Sequence, residues 1–268
     1  MALIKHILKV PGAWRLWRTF PVGSVPLRTQ FDIWPRPSYA YGVYAAAELA
    51  TKLGLGSISV LEFGVAAGAG LLALEDIALR FEKHFKIQIS VVGFDTGSGM
   101  PKPDDYRDLP YVWGESFYKM DEEKLRRRLR GADLILADVE KGVERFLADG
   151  IKGPIGFVAF DLDYYSSTKK ALRIFEGPVE GRLPRVFCYF DDVIWPERAC
   201  YCEYTGELLA INEFNSEHSE KKLCNVPHLS WIRPRRNAWN EQIYVMHDFR
   251  HPLYGKNITP MDGRQHPL

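Results

Sequence analysis

The chain has 268 residues, 46% hydrophobic and 26% charged, and 35 Lys+Arg against 34 Asp+Glu leave a formal charge of +1. This excludes a disordered chain, a collagen-like repeat and a small disulfide scaffold, and it argues against a nucleic-acid partner, which would need a clustered positive excess. The length suits one large domain, or a domain and a half, with ample material for a core.

The first 37 residues form an N-terminal arm. MALIKHILKVPGAWRLWRTFPVG carries Lys5, Lys9, Arg15 and Arg18 and no acid before Asp32. Lys5 and Lys9 break the apolar stretch that a signal peptide needs. The arm is expected to pack on its own domain or on a partner subunit, with an anionic membrane surface as the alternative. No apolar run approaches the ~20 residues of a membrane span, so stable membrane insertion is not expected.

Residues 38–268 form the expected main domain. Tyr39–Leu53 has helical composition and stops at Gly54, a natural C-cap. Ile58–Phe63 is a short apolar run that predicts a buried strand, and Leu71, Leu74, Ile77, Ala78, Phe81 and Phe85 recur at helical spacing after it. Ile87–Phe94, Asp133–Ala137, Ile155–Phe160 and Arg185–Phe190 predict four more strands, with helices over 124–129, 141–147 and 167–175 between them. The alternation predicts an α/β Rossmann-like fold: a doubly wound, mostly parallel, seven-stranded sheet with helices on both faces. Residues 196–230 break the rhythm and read as an insertion or lid, although 204–215 is helix-like. Residues 242–247 return as a late strand.

The most informative segment is LEFGVAAGAGLLALEDI, residues 61–77. A strand running into glycines and then a helix is a nucleotide-binding turn. The spacing Gly64-x-x-x-Gly68-x-Gly70 is not the Gly-x-Gly-x-x-Gly of dinucleotide enzymes, and no P-loop is present. Glu62-x-Gly64-x-Ala66-x-Gly68 instead resembles the first motif of class I S-adenosylmethionine-dependent methyltransferases, with Ala66 in place of the middle glycine. That cofactor has a zwitterionic end and no phosphate. It calls for close backbone approach and a carboxylate for its ammonium, which Glu62 is placed to supply. Asp95 ends the second strand, where a carboxylate can accept the ribose hydroxyls. Asp138, after the third strand, is a candidate for the adenine or a simple helix start.

Two acidic clusters follow the fourth and fifth predicted strands: FDLDYYSST with Asp161 and Asp163, and YFDDVIWP with Asp191 and Asp192. In an open α/β sheet, ligands bind beyond the carboxyl ends of the strands. Three or four carboxylates meeting there repel one another unless a cation joins them, and oxygen ligands without His or Cys suit Mg²⁺ or Ca²⁺, with Mn²⁺ possible.

Gly-Phe-Asp95-Thr96-x-x-Gly-Met-Pro, Asp161-x-Asp163-x-Tyr165-x-Ser-Thr168 and Asp191-Asp192 together resemble the macrocin O-methyltransferase family, metal-dependent enzymes that methylate sugar hydroxyls. The resemblance spans roughly residues 38–195. It departs from the family at Gly97-Ser98, where an aromatic-acidic pair is commoner, and little matches after Pro196. The resemblance implies S-adenosylmethionine held by Glu62, Gly64, Ala66, Gly68, Asp95, Thr96 and Asp138. It also implies a divalent cation, Mg²⁺ first, on Asp161, Asp191 and Asp192, and catalytic roles for Asp161, Asp163 and Asp191. Asp163, Tyr164 and Asp191 are the candidates for the general base.

The expected function is transfer of a methyl group to a hydroxyl of a small molecule or sugar. The alternative is a nucleotide- or sugar-binding Rossmann-like protein without methyl transfer, either an oxidoreductase or a non-catalytic module. Four cysteines, Cys188, Cys200, Cys202 and Cys224, lack zinc-knuckle spacing and predict reduced thiols and a cytoplasmic location. A homo-oligomer is compatible with the sequence. The HDFRH run with His247, Asp248 and His251 is expected in turn or interface roles rather than on a metal, and Arg126, Arg127, Arg128 and Arg130 on a solvated helix face. Tyr106, Tyr111, Trp113, Phe117 and Tyr118 are candidates to stack on an acceptor or to pack under a loop.

Overall fold

The computed structural model describes residues 12–259. Two short helices, α1 (Ala13–Thr19) and α2 (Val25–Gln30), precede α3 (Pro37–Leu53), which starts on a proline and ends at Gly54 in the left-handed conformation. The alternation then runs β1 (Ser57–Phe63), α4 (Ala69–Phe85), β2 (Gln88–Asp95), α5 (Glu122–Arg126), β3 (Asp133–Leu136), α6 (Val139–Ala148), β4 (Ile155–Phe160), α7 (Tyr165–Ala171) and β5 (Arg182–Phe190). Helix α8 (Gly206–Glu217), strand β6 (Lys221–Asn225), helix α9 (Leu229–Ile232) and strand β7 (Ile243–Asp248) complete it. Lys5 and Lys9 lie outside the described residues.

The sheet has seven strands in the order β3-β2-β1-β4-β5-β7-β6. Pairs from β3 to β5 are parallel, whereas β7 pairs antiparallel with both β5 and β6, so the sheet is mixed. Strand β6 comes from the segment 196–230 read as an insertion or lid. Its sequence KKLCN buries only Leu223, so it carries no apolar run to reveal it. Residues 206–225 thus supply a helix and the sheet's edge strand, while Trp195, Pro196 and Arg198 line the cleft described below.

Two cores flank the sheet because strand side chains alternate between its faces. Ile58, Val60, Phe157 and Ala159 face α3 and α4, with Trp34 of the arm buried among them, edge-on to Phe81 at 5.2 Å. Leu61, Val158, Val186 and Cys188 face the other way, toward α6, α7 and α8. On that second face, Phe94, Phe63, Phe160 and Phe190 form one row across β2, β1, β4 and β5, with ring centroids 4.4, 5.6 and 4.6 Å apart. They are in register across the strands. The next residue in each strand is Asp95, Gly64, Asp161 or Asp191. Thus one buried aromatic row sets the height at which four site segments leave the sheet.

Candidate active site

Chain order reverses between β1 and β4, and a crevice opens beyond the strand ends at such a switch point. Here it is a cleft of about 530 Å³. The loop after β1 is closed from both sides: the Gly64 N–H donates to the Phe94 carbonyl at 2.9 Å, and the Asp161 N–H donates to the Phe63 carbonyl at 3.0 Å. Gly64 has φ +86°, and a Cβ there would stand 1.7 Å from the Asp161 carbonyl oxygen. Only glycine fits.

Glu62 is the last inward residue of β1 on the α3 face and is fully buried. Tyr39 Oη donates to its Oε1 at 2.7 Å, while Oε2 has no partner. A Cβ on Gly70 would sit 1.8 Å from Oε1, so the first turn of α4 has room for the carboxylate only because residue 70 is glycine. Burial raises the Glu62 carboxyl to about 7, against the opposing pull of the Tyr39 hydrogen bond and of Arg36. A buried acid with one free oxygen on a cleft wall is a receptor for a cationic group. That fits the ammonium end of S-adenosylmethionine.

Asp95 ties two loops together. Its Oδ2 accepts from the Ala66 N–H at 2.8 Å and its Oδ1 from the Gly97 N–H at 2.6 Å. Ala66 and Gly68 both have positive φ in this turn. Thr96 lines the cleft, but its hydroxyl donates to the Gly99 carbonyl at 2.9 Å. Asp138 lines the cleft and caps α6, accepting from the Glu140 N–H at 3.0 Å. The seven candidate cofactor residues therefore gather at the ends of β1, β2 and β3 and in the loops that follow; six line the cleft, Gly68 backs onto Leu125, and Asp138 is the start of α6 as well as part of the cleft lining.

In the same cleft, carboxylate oxygens of Asp161, Asp191 and Asp192 lie within 4.8 Å of one another. Neutral groups hold two of them: Tyr189 Oη donates to Asp191, while Tyr201 Oη and the Asp163 N–H donate to Asp192 at 2.9 and 3.0 Å. The Asp192 N–H donates to Glu207, itself fully buried, at 3.0 Å. Burial raises the Asp161 carboxyl well above its usual value, and Asp191, Asp192 and Glu62 push it the same way. Asp192 is raised by burial first and then by Asp163 and Asp191. Three converging oxygen donors, under mutual repulsion and without His or Cys, fit a hard dication.

Asp163 also reaches the cleft. It holds a left-handed φ of 59°, and burial raises its carboxyl to about 7, with Asp161 adding to the effect. Tyr164 does not reach it: the ring is buried among Leu109 and Trp113, which removes it as a general base. Of the loop aromatics, Trp113 and Tyr118 line the cleft, whereas Tyr106 and Tyr111 are exposed away from its lining.

The remaining sequence candidates resolve elsewhere. His247 Nδ1 meets Tyr254 Oη at 2.9 Å, Asp248 pairs with Arg182 at 2.6 Å, and His251 Nε2 meets the Arg182 carbonyl at 3.1 Å. Arg126 pairs with Glu122 on an exposed face. All four cysteines are unpaired. Sequence reasoning missed Arg36, Tyr39, Tyr189, Tyr201 and Glu207. Arg36 stands at the end of the arm, on the cleft wall. Tyr201 and Glu207 lie in the stretch set aside as an insertion. Nothing in the sequence distinguishes them from the other acids and aromatics of that stretch, such as Glu203, Tyr204 and Glu213.

No family model and no curated protein matches this sequence. Solved structures do resemble the fold. CalS11, a calicheamicin methyltransferase, is 21% identical over 88% of this chain and 90% of its own, with a TM-score of 0.52. An apo structure of CalS11, described as a TDP-rhamnose 3'-O-methyltransferase, is 20% identical over 88% of this chain and 92% of its own, with a TM-score of 0.44. An O-methyltransferase from Bacillus cereus in complex with SAH is 12% identical over 79% of this chain and 80% of its own, with a TM-score of 0.39. The first of these likenesses shows that the chain has the Rossmann-like fold seen in CalS11.

Proposed function

We propose that this protein is a metal-dependent O-methyltransferase that moves a methyl group from S-adenosylmethionine to a hydroxyl of a small molecule or sugar. The observation that carries this reading is one cleft lined by two acidic features: a buried carboxylate with a free oxygen, Glu62, and the Asp161, Asp191 and Asp192 cluster. The fold shared with a calicheamicin methyltransferase supports it.

Glu62 binds and orients the ammonium end of the cofactor, and the Gly64 turn lets that end approach the backbone. S-Adenosylmethionine supplies an activated methyl group on a sulfonium. Asp161, Asp191 and Asp192 would hold one divalent cation, which would supply positive charge that favours the ionised form of an acceptor hydroxyl. Asp163, on the cleft lining with its carboxyl raised to about 7, would accept the proton of an acceptor hydroxyl. Tyr189, Tyr201 and Glu207 position the aspartates. Trp113, Tyr118 and Trp195 offer rings to an acceptor at the mouth of the cleft.

Calorimetry with S-adenosylmethionine, with and without Mg²⁺ and chelator, tests the reading. Binding of the cofactor that survives chelator, together with separate Mg²⁺ binding, is expected. Retention of a nicotinamide or flavin instead would point to an oxidoreductase.

A further inference from the structure

The arm leaves an unusual surface exposed. Helix α1 buries none of its residues. Its indoles turn inward: Trp14 Nε1 donates to the Phe31 carbonyl at 3.0 Å and Trp17 Nε1 to the Val22 carbonyl at 2.8 Å. Leu16 and Phe20, one turn apart, therefore face outward at 64% and 66% exposure, followed by Val22 at 70%. Arg235 joins the segment 231–236 to this helix, its guanidinium 4.2 Å from the Trp14 ring centroid. That segment adds Trp231 at 69% and Ile232 at 77% exposure. Large apolar side chains grouped in this way mark an interaction surface.

The charges around them share one sign. Arg15, Arg18 and Arg236 are exposed, and Arg236 stacks on Trp231 at 4.1 Å. Asp32, the only acid between Gly12 and Ala47, is buried and pairs with Arg233 at 2.7 Å. Between Val226 and Asn240 there is no acid. Two segments distant in sequence thus meet at the Arg235–Trp14 contact, and among their described residues they carry arginines, exposed apolar side chains and no exposed carboxylate.

We infer that this face binds the surface of an anionic lipid bilayer, independently of the methyl-transfer reading. Leu16, Phe20, Trp231 and Ile232 would enter the boundary between headgroups and acyl chains, while Arg15, Arg18, Arg235 and Arg236 meet lipid phosphates. Charge decides against a second copy of the chain. A two-fold interface sets the same patch against itself, and so arginine against arginine. An acidic bilayer satisfies the apolar and the cationic groups together. No described helix is long and apolar enough to cross a membrane, so contact is peripheral.

Co-sedimentation of the full chain with phosphatidylcholine vesicles, with and without phosphatidylglycerol, tests this. Binding is expected only with phosphatidylglycerol, with a blue shift of tryptophan emission. It should weaken strongly as salt rises from about 0.1 M to about 1 M, which shortens the screening length from about 10 Å to about 3 Å. The double variant Arg15→Glu, Arg236→Glu should bind at least about tenfold more weakly. Leu16→Ser with Ile232→Ser keeps the charge and should lose the emission shift. The parent chain alone decides the matter if a variant unfolds. Failure of the parent to sediment with acidic vesicles, or equal binding to neutral ones, overturns the inference. So does a parent dimer that Leu16→Ser with Ile232→Ser dissolves while acidic vesicles leave it unbound.

Discussion

Tyr39 donates to Glu62 at 2.7 Å and occupies one of its two oxygens, leaving the other buried and bare on the cleft wall. The hydrogen bond fixes the carboxylate's orientation. The bare oxygen leaves a site that a ligand cation can complete. Glu62→Gln keeps the shape and removes the charge. A charge-assisted contact contributes about 1.5–3 kcal/mol, so S-adenosylmethionine affinity should fall by roughly tenfold to a hundredfold in calorimetry. Parent-like affinity in Glu62→Gln would place the cofactor's ammonium elsewhere.

Gly70→Ala separates folding from binding at the same site. Alanine suits the first turn of α4 better than glycine by up to about 1 kcal/mol. Its Cβ, however, falls 1.8 Å from Glu62 Oε1, which Tyr39 holds in place. The variant should melt near the parent temperature and bind the cofactor at least about tenfold more weakly, the carboxylate having been displaced. Gly64→Ala, by contrast, meets backbone at 1.7 Å with φ +86° and should fail to fold at all.

How far the site was legible in sequence follows from where its parts lie. The turn at Gly64, the acid Asp95 and the pairs Asp161/Asp163 and Asp191/Asp192 each follow directly on an apolar strand, so strand period and a punctuating Gly or Asp exposed them together. The recurring Phe-Gly and Phe-Asp steps at 63–64, 94–95, 160–161 and 190–191 carried the aromatic row as well, though its registration across four strands is a tertiary fact. The supporting shell was not legible. Glu207 reaches Asp192 from α8 and Tyr201 from an irregular loop, contacts that no local periodicity encodes. Strand β6 stayed hidden for the same reason that edge strands do: one buried residue in five leaves no alternation to read. Tyr164 shows the reverse error, since closeness in sequence to Asp163 did not bring its ring to the cleft.

The aromatic row makes a stability claim. Phe160 is fully buried, flanked by Phe63 and Phe190, and immediately precedes Asp161. Phe160→Ala should cost about 3–5 kcal/mol in denaturant unfolding, from lost transfer energy and the cavity left behind. A cost under about 1 kcal/mol, as for a surface change, would show that the row does not set the strand ends.

The aspartate cluster predicts a division of labour within the cleft. Asp161→Asn, Asp191→Asn and Asp192→Asn each remove one negative charge from a hard-cation site without changing side-chain size. Turnover and Mg²⁺ affinity should both drop by at least about tenfold, whereas cofactor affinity, which the proposal assigns to the loops after β1 and β2, should change little. Methyl transfer that persists undiminished in excess chelator would remove the metal from the reaction.

Buried acids also make stability depend on pH, with a sign opposite to that of a surface-paired carboxylate. Burial raises Glu62 from 4.5 and Asp163 from 3.8, each to about 7, and raises Asp161, Asp192 and Glu207 well above their usual values. A carboxyl with a folded pKa above its unfolded value binds its proton more tightly when folded. Its contribution is complete below the unfolded pKa and is lost as pH rises through the folded one. The ligand-free protein should therefore lose stability from about pH 4 to about pH 7 through Glu62 and Asp163, and continue to lose it at higher pH through the other three. His247 and His251, lowered by burial, act in the other direction at acid pH, so a variant is needed to isolate the carboxyls. In the double variant Asp161→Asn, Asp192→Asn the fall in melting temperature should flatten. Mg²⁺ should stabilise the parent more at about pH 8 than at about pH 5, because it binds the ionised cluster. Scanning calorimetry in chelator and then in Mg²⁺ measures both slopes. A parent melting temperature that rises across this range, with the double variant parallel to it, would contradict the account of the cluster as acids held against their own repulsion.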